Sequence, residues 1–334
     1  MNFKNPLFSI IIPVYNRPQE VQELLESLSG QTLKNFEVII VEDGSSLKCE
    51  EFVRQYSATE IAYYYKENGG PAAARNFGAE KAKGKWLVFF DSDCIIPENY
   101  ISETVKELEG EKCRLFGGAD RSHPSFTALQ KAIDYSMTSI ITTGGIRGNR
   151  KSADKFYPRT FNMGIEKAVF EEIGGFSNMR FGEDVDFSYK VKEGGYESRF
   201  FPDSWVYHKR RNTFRTFFKQ VFNSGIARIH LTRRHAGSLK LVHLLPSAFV
   251  LGCLLLLVLS VLWSPLFLLP VFLLSLLLFT DASVRKESVK TGILAVAASF
   301  VQLFGYGSGF LAGWWNVCIL GKRNYAAFVD NFYR

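Results

Sequence analysis

Two aspartates, Asp91 and Asp93, stand two residues apart directly after the apolar run of residues 85–90. Carboxylates at this spacing suit Mg²⁺ or Mn²⁺, hard cations that take oxygen ligands and also bind substrate phosphates. A metal held there would neutralise the charge that develops on a departing phosphate group. The same triplet is common in ordinary polar turns, so the surrounding residues decide between the two interpretations.

Two other polar clusters follow apolar runs in the same way. Tyr15-Asn16-Arg17 follows residues 8–14, and Glu42-Asp43-Gly44 follows residues 36–41. The Asp43 carboxylate has the chemistry to hydrogen-bond a nucleobase or a ribose.

A pair of glycines, Gly69-Gly70, precedes the Ala-rich stretch of residues 71–82, and Arg75 lies one turn into it. A helix N-terminus with glycines can approach a phosphate closely, and an Arg beside it can pair with that phosphate. A plain N-cap turn is the competing interpretation.

An acidic cluster, Gly182-Glu183-Asp184-Val185-Asp186, begins a segment with helical spacing. Asp184 has the chemistry of a general base that accepts the proton of an acceptor hydroxyl. Acidic residues in a first helical turn are also ordinary partners of the helix macrodipole. His208 is a candidate for a further metal ligand, although a single histidine also occurs in purely structural roles.

The elements that must position these residues alternate between strand and helix patterns, which predicts an α/β fold with parallel strands and right-handed crossovers. The predicted strands are residues 8–14, 36–41, 61–65 and 85–90, and the predicted helices are residues 19–28, 49–56 and 71–82. In such a sheet the ligand lies beyond the carboxyl ends of the strands. The three polar clusters are therefore expected to meet in one crevice.

The second half of the chain has a different character. Residues 141–160 have the composition of a mobile loop. Residues 213–235 form an amphipathic pattern with phenylalanines on one face and Arg215 and Lys219 turned away from it, which is typical of a helix in the membrane interface.

Three apolar stretches follow that pattern. Residues 241–280 contain no Lys, Arg, Asp or Glu, and they divide into stretches over about 243–262 and 265–280. The second of these is shorter than the roughly 20 residues that a perpendicular span needs. A third, over about 291–320, has glycines at a spacing that allows close helix packing. Either three full spans or a re-entrant third element fits this pattern.

Charge and cysteine content narrow the setting. The formal net charge of the 334 residues is +7, and the basic residues are densest at 209–240, just before the apolar stretches. This placement favours anionic lipid headgroups over nucleic acid as the partner. The five cysteines form no CxxC pair, which indicates reduced thiols. No secretory signal is visible, so we expect the first part of the chain in the cytoplasm, beside the inner membrane of a multi-pass protein.

The ordered set of motifs resembles family 2 of the inverting glycosyltransferases, which have the GT-A fold, a Rossmann-like mixed sheet. The resemblance covers about residues 7–210 and rests on the clusters above, beginning with Ser9-Ile-Ile-Ile-Pro-Val-Tyr-Asn16. The basic segment and apolar C-terminal region are similar to membrane-bound bacterial members that build exopolysaccharides and lipid-linked saccharides.

The resemblance implies a role for each matching residue. Donor binding would involve the nucleotide-pocket residues, the base contact and the phosphate and ribose contacts: Pro13, Tyr15, Arg17, Asp43, Arg75 and Asp91. Asp93 would bind Mg²⁺ or Mn²⁺ together with Asp91 and His208. Asp184 would be the catalytic base of a single displacement that inverts the anomeric carbon, with Glu183, Asp186 and Gln220 on the acceptor side.

The chain departs from the family's processive synthases. Those carry Gln-x-x-Arg-Trp before the membrane region, whereas the nearest match here is Gln220-Val-Phe-Asn223. We therefore expect transfer of one or a few sugars.

This resemblance and the composition together predict four regions. They are a catalytic domain over residues 1–210, a basic interfacial helix over 211–240, a transmembrane region of two to three spans over 241–320 and a tail over 321–334.

The predicted function is sugar transfer from a nucleotide-sugar donor, with UDP favoured, to a lipid-linked or saccharide acceptor, with membrane lipids as partners. A polyprenyl-phosphate sugar synthase is an alternative that uses phosphate as the nucleophile. A non-catalytic nucleotide-binding assembly protein is a third reading.

Overall fold

The computed structural model describes residues 6–56, 60–110, 113–143, 156–323 and 325–328. The chain divides into two compact units. The first comprises Met1–His123 and Arg150–Lys209, and the second comprises Pro124–Asn149 and Arg210–Arg334. The predicted loop over residues 141–160 lies largely outside the described residues, and its first three residues are helical.

The first unit alternates strands and helices along the chain. Its strands are β1 (Phe8–Val14), β2 (Phe36–Asp43), β3 (Ile61–Lys66), β4 (Trp86–Phe89), β5 (Cys94–Ile95), β6 (Leu115–Arg121), β7 (Met163–Glu166) and β8 (Ser198–His208). Its helices are α1 (Pro18–Ser29), α2 (Glu50–Val53), α3 (Pro71–Lys81), α4 (Tyr100–Gly110), α7 (Lys167–Ile173) and α8 (Glu183–Glu193). The helices of the second unit are α5 (Ala128–Thr138), α6 (Ile140–Thr143), α9 (Phe214–Arg234), α10 (Leu245–Leu262), α11 (Leu269–Arg285) and α12 (Val289–Gly313).

The eight strands form one sheet in the order β3-β2-β1-β4-β7-β6-β8-β5. The pairs among β1, β2, β3 and β4 are parallel, because helical crossovers connect them. β7 pairs antiparallel with both β4 and β6, and β5 pairs antiparallel with β8. The predicted α/β class with a mixed sheet is therefore confirmed.

Close packing brings α3 onto the sheet. Gly78 lies against β1, where an added Cβ would sit 2.5 Å from Ile11 Cγ2. Only a glycine leaves room for this approach. α3 therefore lies directly over β1, which brings its first turn to the carboxyl ends of the parallel strands.

The predicted elements of the first unit agree with the structure in most places. The strand over residues 8–14 is confirmed at both ends, and α1 buries Val21, Leu24, Leu25 and Leu28 as the helical spacing predicts. The helix predicted over residues 49–56 was too long, because the observed α2 is a single turn, Glu50–Val53.

Among the described residues of the second unit, three helices are long and apolar enough to cross a membrane, namely Leu245–Leu262, Pro265–Arg285 and Val289–Ile319. The second is longer than its predicted end at residue 280, because the helix continues through the polar residue Asp281. That carboxylate accepts hydrogen bonds from Tyr135 Oη at 2.7 Å and from Arg285 Nε at 2.9 Å. The length of this helix is sufficient for a span.

The glycines of α12 bring it against α9, which confirms the predicted close approach. A Cβ at Gly309 would sit 2.0 Å from Phe222 O, and one at Gly225 would sit 2.3 Å from Tyr306 O. The prediction that Lys219 turns away from the buried face was wrong. Lys219 is 3% exposed, and its Nζ lies 5.7 Å from the centre of the Phe328 ring, because the C-terminal residues cover that face of α9.

Candidate active site

The loops after β1 and β2 are joined through Asn16. This residue has a φ of +53°, which an Asn side chain tolerates better than most. Its Oδ1 accepts hydrogen bonds from the backbone N–H groups of Ser46 at 2.8 Å and Leu47 at 2.9 Å. Two of the predicted polar clusters therefore lie side by side, with the half-buried Pro13 and the exposed Tyr15 beside this link.

Asp43 is buried at the end of β2, and its carboxylate orients the start of α3. Its oxygens accept from the N–H groups of Gly69 at 2.9 Å and Gly70 at 2.8 Å, and from Lys66 Nζ at 2.7 Å. Of the two interpretations of the glycine pair, the contacts favour the N-cap turn over the phosphate site, because both amides donate to this carboxylate. Gly70 has a φ of +87°, a conformation that favours glycine.

Two arginines hold the aspartates that follow β4. Arg17 Nη1 lies 2.6 Å from Asp93 Oδ2, and Arg75 Nη2 lies 2.6 Å from Asp91 Oδ1. The buried Arg75 also reaches Glu183 Oε1 through Nη1 at 2.9 Å. Charged residues from the loop after β1, from α3, from the loop after β4 and from the start of α8 thus meet in two sets of ion pairs, Arg17 with Asp93 and Arg75 with Asp91 and Glu183.

His208 lies at the end of β8, paired with Cys94 of β5. Its Nε2 is 3.2 Å from Asp93 Oδ1 and 3.9 Å from Asp91 Oδ2. The imidazole stacks on Phe161 with ring centres 4.8 Å apart, which fixes its plane. The structure therefore brings the three predicted metal ligands together, although His208 is more than a hundred residues from the two aspartates in sequence.

This donor set fits a hard divalent cation. Each aspartate turns one oxygen to an arginine and the other towards His208, which leaves two carboxylates and one imidazole converging. Oxygen and imidazole ligands suit Mn²⁺, and the carboxylates suit Mg²⁺. Cys94 also has its sulfur within 4.8 Å of ligand atoms of Asp93 and His208. Burial raises the pKa of that thiol well above its usual value, and sulfur is a softer ligand than Mg²⁺ or Mn²⁺ prefers.

The candidate base Asp184 is paired with an arginine that sequence reasoning missed. Arg159 Nη1 lies 2.8 Å from Asp184 Oδ2, and the Val185 N–H donates to Oδ1 at 2.8 Å. Burial alone would raise the pKa of Asp184, but the charge and hydrogen bond of Arg159 outweigh it and lower the pKa. Asp184 is therefore ionised throughout the physiological range.

The three residues predicted on the acceptor side have different positions. Glu183 is largely buried beneath Arg75 at the start of α8. Asp186 is 1% exposed, so the structure offers an acceptor no access to it. Gln220 belongs to α9 in the second unit.

Asp120 is a second residue of the site that the sequence did not predict. Its Oδ2 lies 3.9 Å from His208 Nδ1, on the side of the ring that faces away from the aspartate pair. A carboxylate there favours the tautomer or charge state with a proton on Nδ1 and so presents Nε2 to a metal. It lies at the end of β6, and only the pairing of β6 with β8 brings it there.

Glu183 carries a testable pH dependence. Burial raises its pKa to about 7, with Arg75 opposing the rise and Asp184 adding to it. A carboxyl whose pKa is higher in the folded state loses stabilisation as the pH rises from its ordinary value, 4.5, towards 7. We expect the melting temperature of the wild type, minus that of Glu183→Gln, to fall between pH 5 and pH 7.5. Thermal unfolding in detergent at several pH values measures this, and a flat difference would contradict it.

Comparisons with known proteins agree with this architecture. The family model for glycosyl transferase family 2 matches residues 9–174. Glycosyltransferase AglE of Haloferax volcanii is 29% identical over 255 residues, which cover 74% of this chain and 81% of that protein. An uncharacterized glycosyltransferase of Haemophilus influenzae is 36% identical over 195 residues, 55% of this chain and 62% of that protein. One from Rickettsia bellii is 37% identical over 186 residues, and the chain spans only 25% of its length.

Among solved structures, the mannosyltransferase PcManGT from Pyrobaculum calidifontis, in complex with GDP-Man and Mn²⁺, superposes with a TM-score of 0.66. The match covers 89% of this chain and 87% of that one at 17% identity, which establishes the likeness of fold. The first unit thus has the GT-A fold. The domain over residues 9–174 belongs to glycosyltransferase family 2.

Proposed function

We propose that this glycosyltransferase is an inverting, metal-dependent enzyme that transfers a sugar from a nucleotide-sugar donor to a lipid-linked saccharide at the cytoplasmic face of the inner membrane. A UDP-sugar is the favoured donor, and a hexose is the expected sugar. The observation that carries the metal-dependent part is the convergence of Asp91, Asp93 and His208 beyond the parallel strands. Three apolar C-terminal helices support the membrane location.

Each group at the site has a part in this reaction. When bound, Mg²⁺ or Mn²⁺ supplies positive charge to the diphosphate that leaves. Arg17 and Arg75 hold the aspartates in place, and Arg75 links that pair to α8. Asp184 accepts the proton of the acceptor hydroxyl as its oxygen bonds to the anomeric carbon. The bond from that carbon to the diphosphate breaks in the same step, so the configuration inverts.

The donor pocket assigned to Pro13, Tyr15, Arg17 and Asp43 belongs to the same proposal. The buried carboxylate of Asp43 retains lone pairs for a base N–H beside its bonds to the two glycine amides. Tyr15 is 39% exposed, so its ring is accessible for stacking on a base.

A second candidate function is favoured by the Arg159–Asp184 pair. A carboxylate with a lowered pKa is a weaker base than one whose pKa lies near the working pH. A phosphate nucleophile is already ionised and needs no base, and Arg159 has the geometry to bind it in place of Asp184. A polyprenyl-phosphate sugar synthase would therefore suit this pair. For either acceptor, we propose that the enzyme transfers one or a few sugars.

Donor binding separates both enzymatic functions from a non-catalytic assembly role. We expect isothermal titration of the purified chain with UDP to show binding in the presence of Mn²⁺ and much weaker binding after chelation. The reason is that Asp91, Asp93 and His208 would hold the metal, whose positive charge would attract the diphosphate. Titration with UDP and GDP side by side tests the preferred nucleotide. Absence of metal-dependent binding to either nucleotide would contradict the proposal and support the non-catalytic reading.

A further inference from the structure

The apolar helix α12 is held along its length by two helices that are not apolar. Its first half shares a buried cluster with α5, in which Ala295 and Ala298 lie with Ala132 and Ile133. Its second half runs against α9, where a Cβ at Gly305 would sit 2.4 Å from Val221 Cγ2 and one at Gly313 would sit 3.0 Å from Ile226 Cα. From Gly305 to Gly313 the contacted residue on α9 advances from Val221 to Ile226, so the two helices run in the same direction.

Chain connectivity places α5 and α9 on the catalytic side of a bilayer. The segment that contains α5 leaves the first unit at His123 and returns to it at Arg150, and α5 itself has only 11 residues. α9 begins five residues after the first unit ends and carries five basic side chains within its 21 residues. Such a helix does not cross hydrocarbon, because each central charge costs several kcal/mol.

If α12 crossed the membrane, one of its ends would lie on the far side. If the first half lay on the far side, α5 would have to lie there too, and if the second half did, α9 would have to. Both α5 and α9 belong on the catalytic side, so neither arrangement keeps the buried contacts of α12 with these two helices. Helix α12 therefore cannot span while both contacts are kept.

The contacts of α12 with α10 and α11 lead to the same conclusion. α12 meets the start of α10, where Ser247 Oγ donates to Gly307 O at 3.1 Å and the Phe249 ring packs on Phe304. It meets the last turns of α11, where a Cβ at Gly292 would sit 3.0 Å from Phe279 O. The start of α10 and the end of α11 form the same end of a helical hairpin, so α12 runs across its base.

Burial distinguishes the three apolar helices further. In the most apolar 18-residue stretch of each helix, 11% is buried within the protein for α10 and for Pro265–Arg285. The corresponding share for Val289–Ile319 is 39%. A helix surrounded by lipid keeps most of its side chains exposed in the protein alone. The helix Val289–Ile319, which is α12 with its C-terminal continuation, instead buries one face and leaves Ile293, Trp314 and Trp315 exposed. Tryptophans are enriched at the level of the lipid headgroups.

We propose that the membrane region is a two-helix hairpin, α10 and α11, and that α12 lies in the lipid interface on the catalytic side. Its partner surface is the headgroup and acyl boundary of the adjacent leaflet. The C-terminal tail then stays on the catalytic side. This inference rests on the membrane location proposed above and is independent of the sugar-transfer chemistry.

The path of the tail supports this topology. Asn223 of α9 pairs with the backbone of Ala327, donating from Nδ2 at 2.8 Å and accepting at Oδ1 at 2.9 Å. His230 Nε2 contacts Tyr325 O at 2.9 Å. The tail thus returns along α9 from the end of α12. Lys322 and Arg323 lie on the cytoplasmic side in this arrangement, as positively charged flanks usually do.

Single-cysteine labelling tests the topology in the full-length chain. A Cys253→Ser, Cys318→Ser background leaves the three buried cysteines, Cys49, Cys94 and Cys113. A membrane-impermeant maleimide is applied to intact and permeabilised spheroplasts that express Lys322→Cys. The matched controls are Glu51→Cys in α2 for the catalytic side and Trp263→Cys at the exposed tip of the hairpin for the far side.

We expect Trp263→Cys to react in intact spheroplasts, and Lys322→Cys and Glu51→Cys to react only after permeabilisation. If Lys322→Cys reacts like Trp263→Cys, α12 spans and the inference is overturned. If Trp263→Cys and Glu51→Cys react alike, the hairpin does not cross, and the membrane location fails as well. Neither result depends on sugar transfer, so failure of the catalytic proposal remains separately measurable.

Discussion

Asp184→Asn is expected to lower kcat for transfer to a hydroxyl acceptor by about 10²–10⁴-fold, the usual contribution of a positioned general base. Asn has nearly the same shape and still offers an oxygen to Arg159, but it cannot take up the proton. The Kd for UDP should stay unchanged, because Asp184 belongs to the acceptor side in this mechanism. Release of nucleoside diphosphate from a set of candidate donors, with membrane lipid extract as the acceptor source, measures the effect.

The matched control is Asp203→Asn, which removes an exposed carboxylate of β8 and should leave transfer unchanged. Circular dichroism of both variants checks that they fold. Near-normal transfer by Asp184→Asn would exclude the base assignment. Combined with intact metal-dependent donor binding, that result would favour the phosphate nucleophile suggested by the Arg159 pair.

Asp93→Asn is expected to abolish Mn²⁺-dependent UDP binding and to lower transfer by at least about 10²-fold. Charge stabilisation by a metal ion is worth several kcal/mol in the transition state, and 1.36 kcal/mol corresponds to tenfold in rate. The Asp93 Oδ1 atom faces His208 Nε2 at 3.2 Å, so the substitution removes a charged ligand from the centre of the cluster. Isothermal titration and product release measure the two effects.

Chelation of the wild-type enzyme provides a second measurement of the same site. EDTA should abolish transfer and added Mn²⁺ should restore it, whereas Asp93→Asn should respond little to added Mn²⁺. Glu98→Gln, an exposed carboxylate five residues downstream, is the control and should behave as the wild type. Full activity of the wild type in excess EDTA would contradict the metal-dependent mechanism.

The parts of the site that local sequence determines were predicted from the sequence. A change from apolar to polar residues predicts where a strand ends, as it does near the ends of Phe8–Val14 and Phe36–Asp43. Parallel pairing of the strands then brings these ends together. The pairing of His208 with Cys94 needed the complete sheet, yet the residue type alone was enough to nominate the histidine.

The parts that depend on partners distant in sequence could not be predicted. Nothing in the spacing of Tyr157-Pro158-Arg159 indicates that its guanidinium meets Asp184, although this contact lowers the pKa of the candidate base. The amides of Gly69 and Gly70 have the pattern of a phosphate site, and only the buried position of Asp43 turns them to another acceptor. Similarly, the sequence did not predict that residues 124–149 belong to the same compact unit as the C-terminal helices.

The placement of α5 has a consequence for biosynthesis. Its residues leave the ribosome long before their packing partners exist, since Asp134 pairs with Lys286, 152 residues later. At synthesis rates of about 5–20 residues per second, roughly 8–30 s pass between the synthesis of Asp134 in α5 and that of its partner Lys286. During that interval the nascent chain presents an uncovered apolar helix between the two sequence segments of the catalytic unit. A chain truncated before residue 289 should therefore be prone to aggregation, although it contains every residue of the first unit.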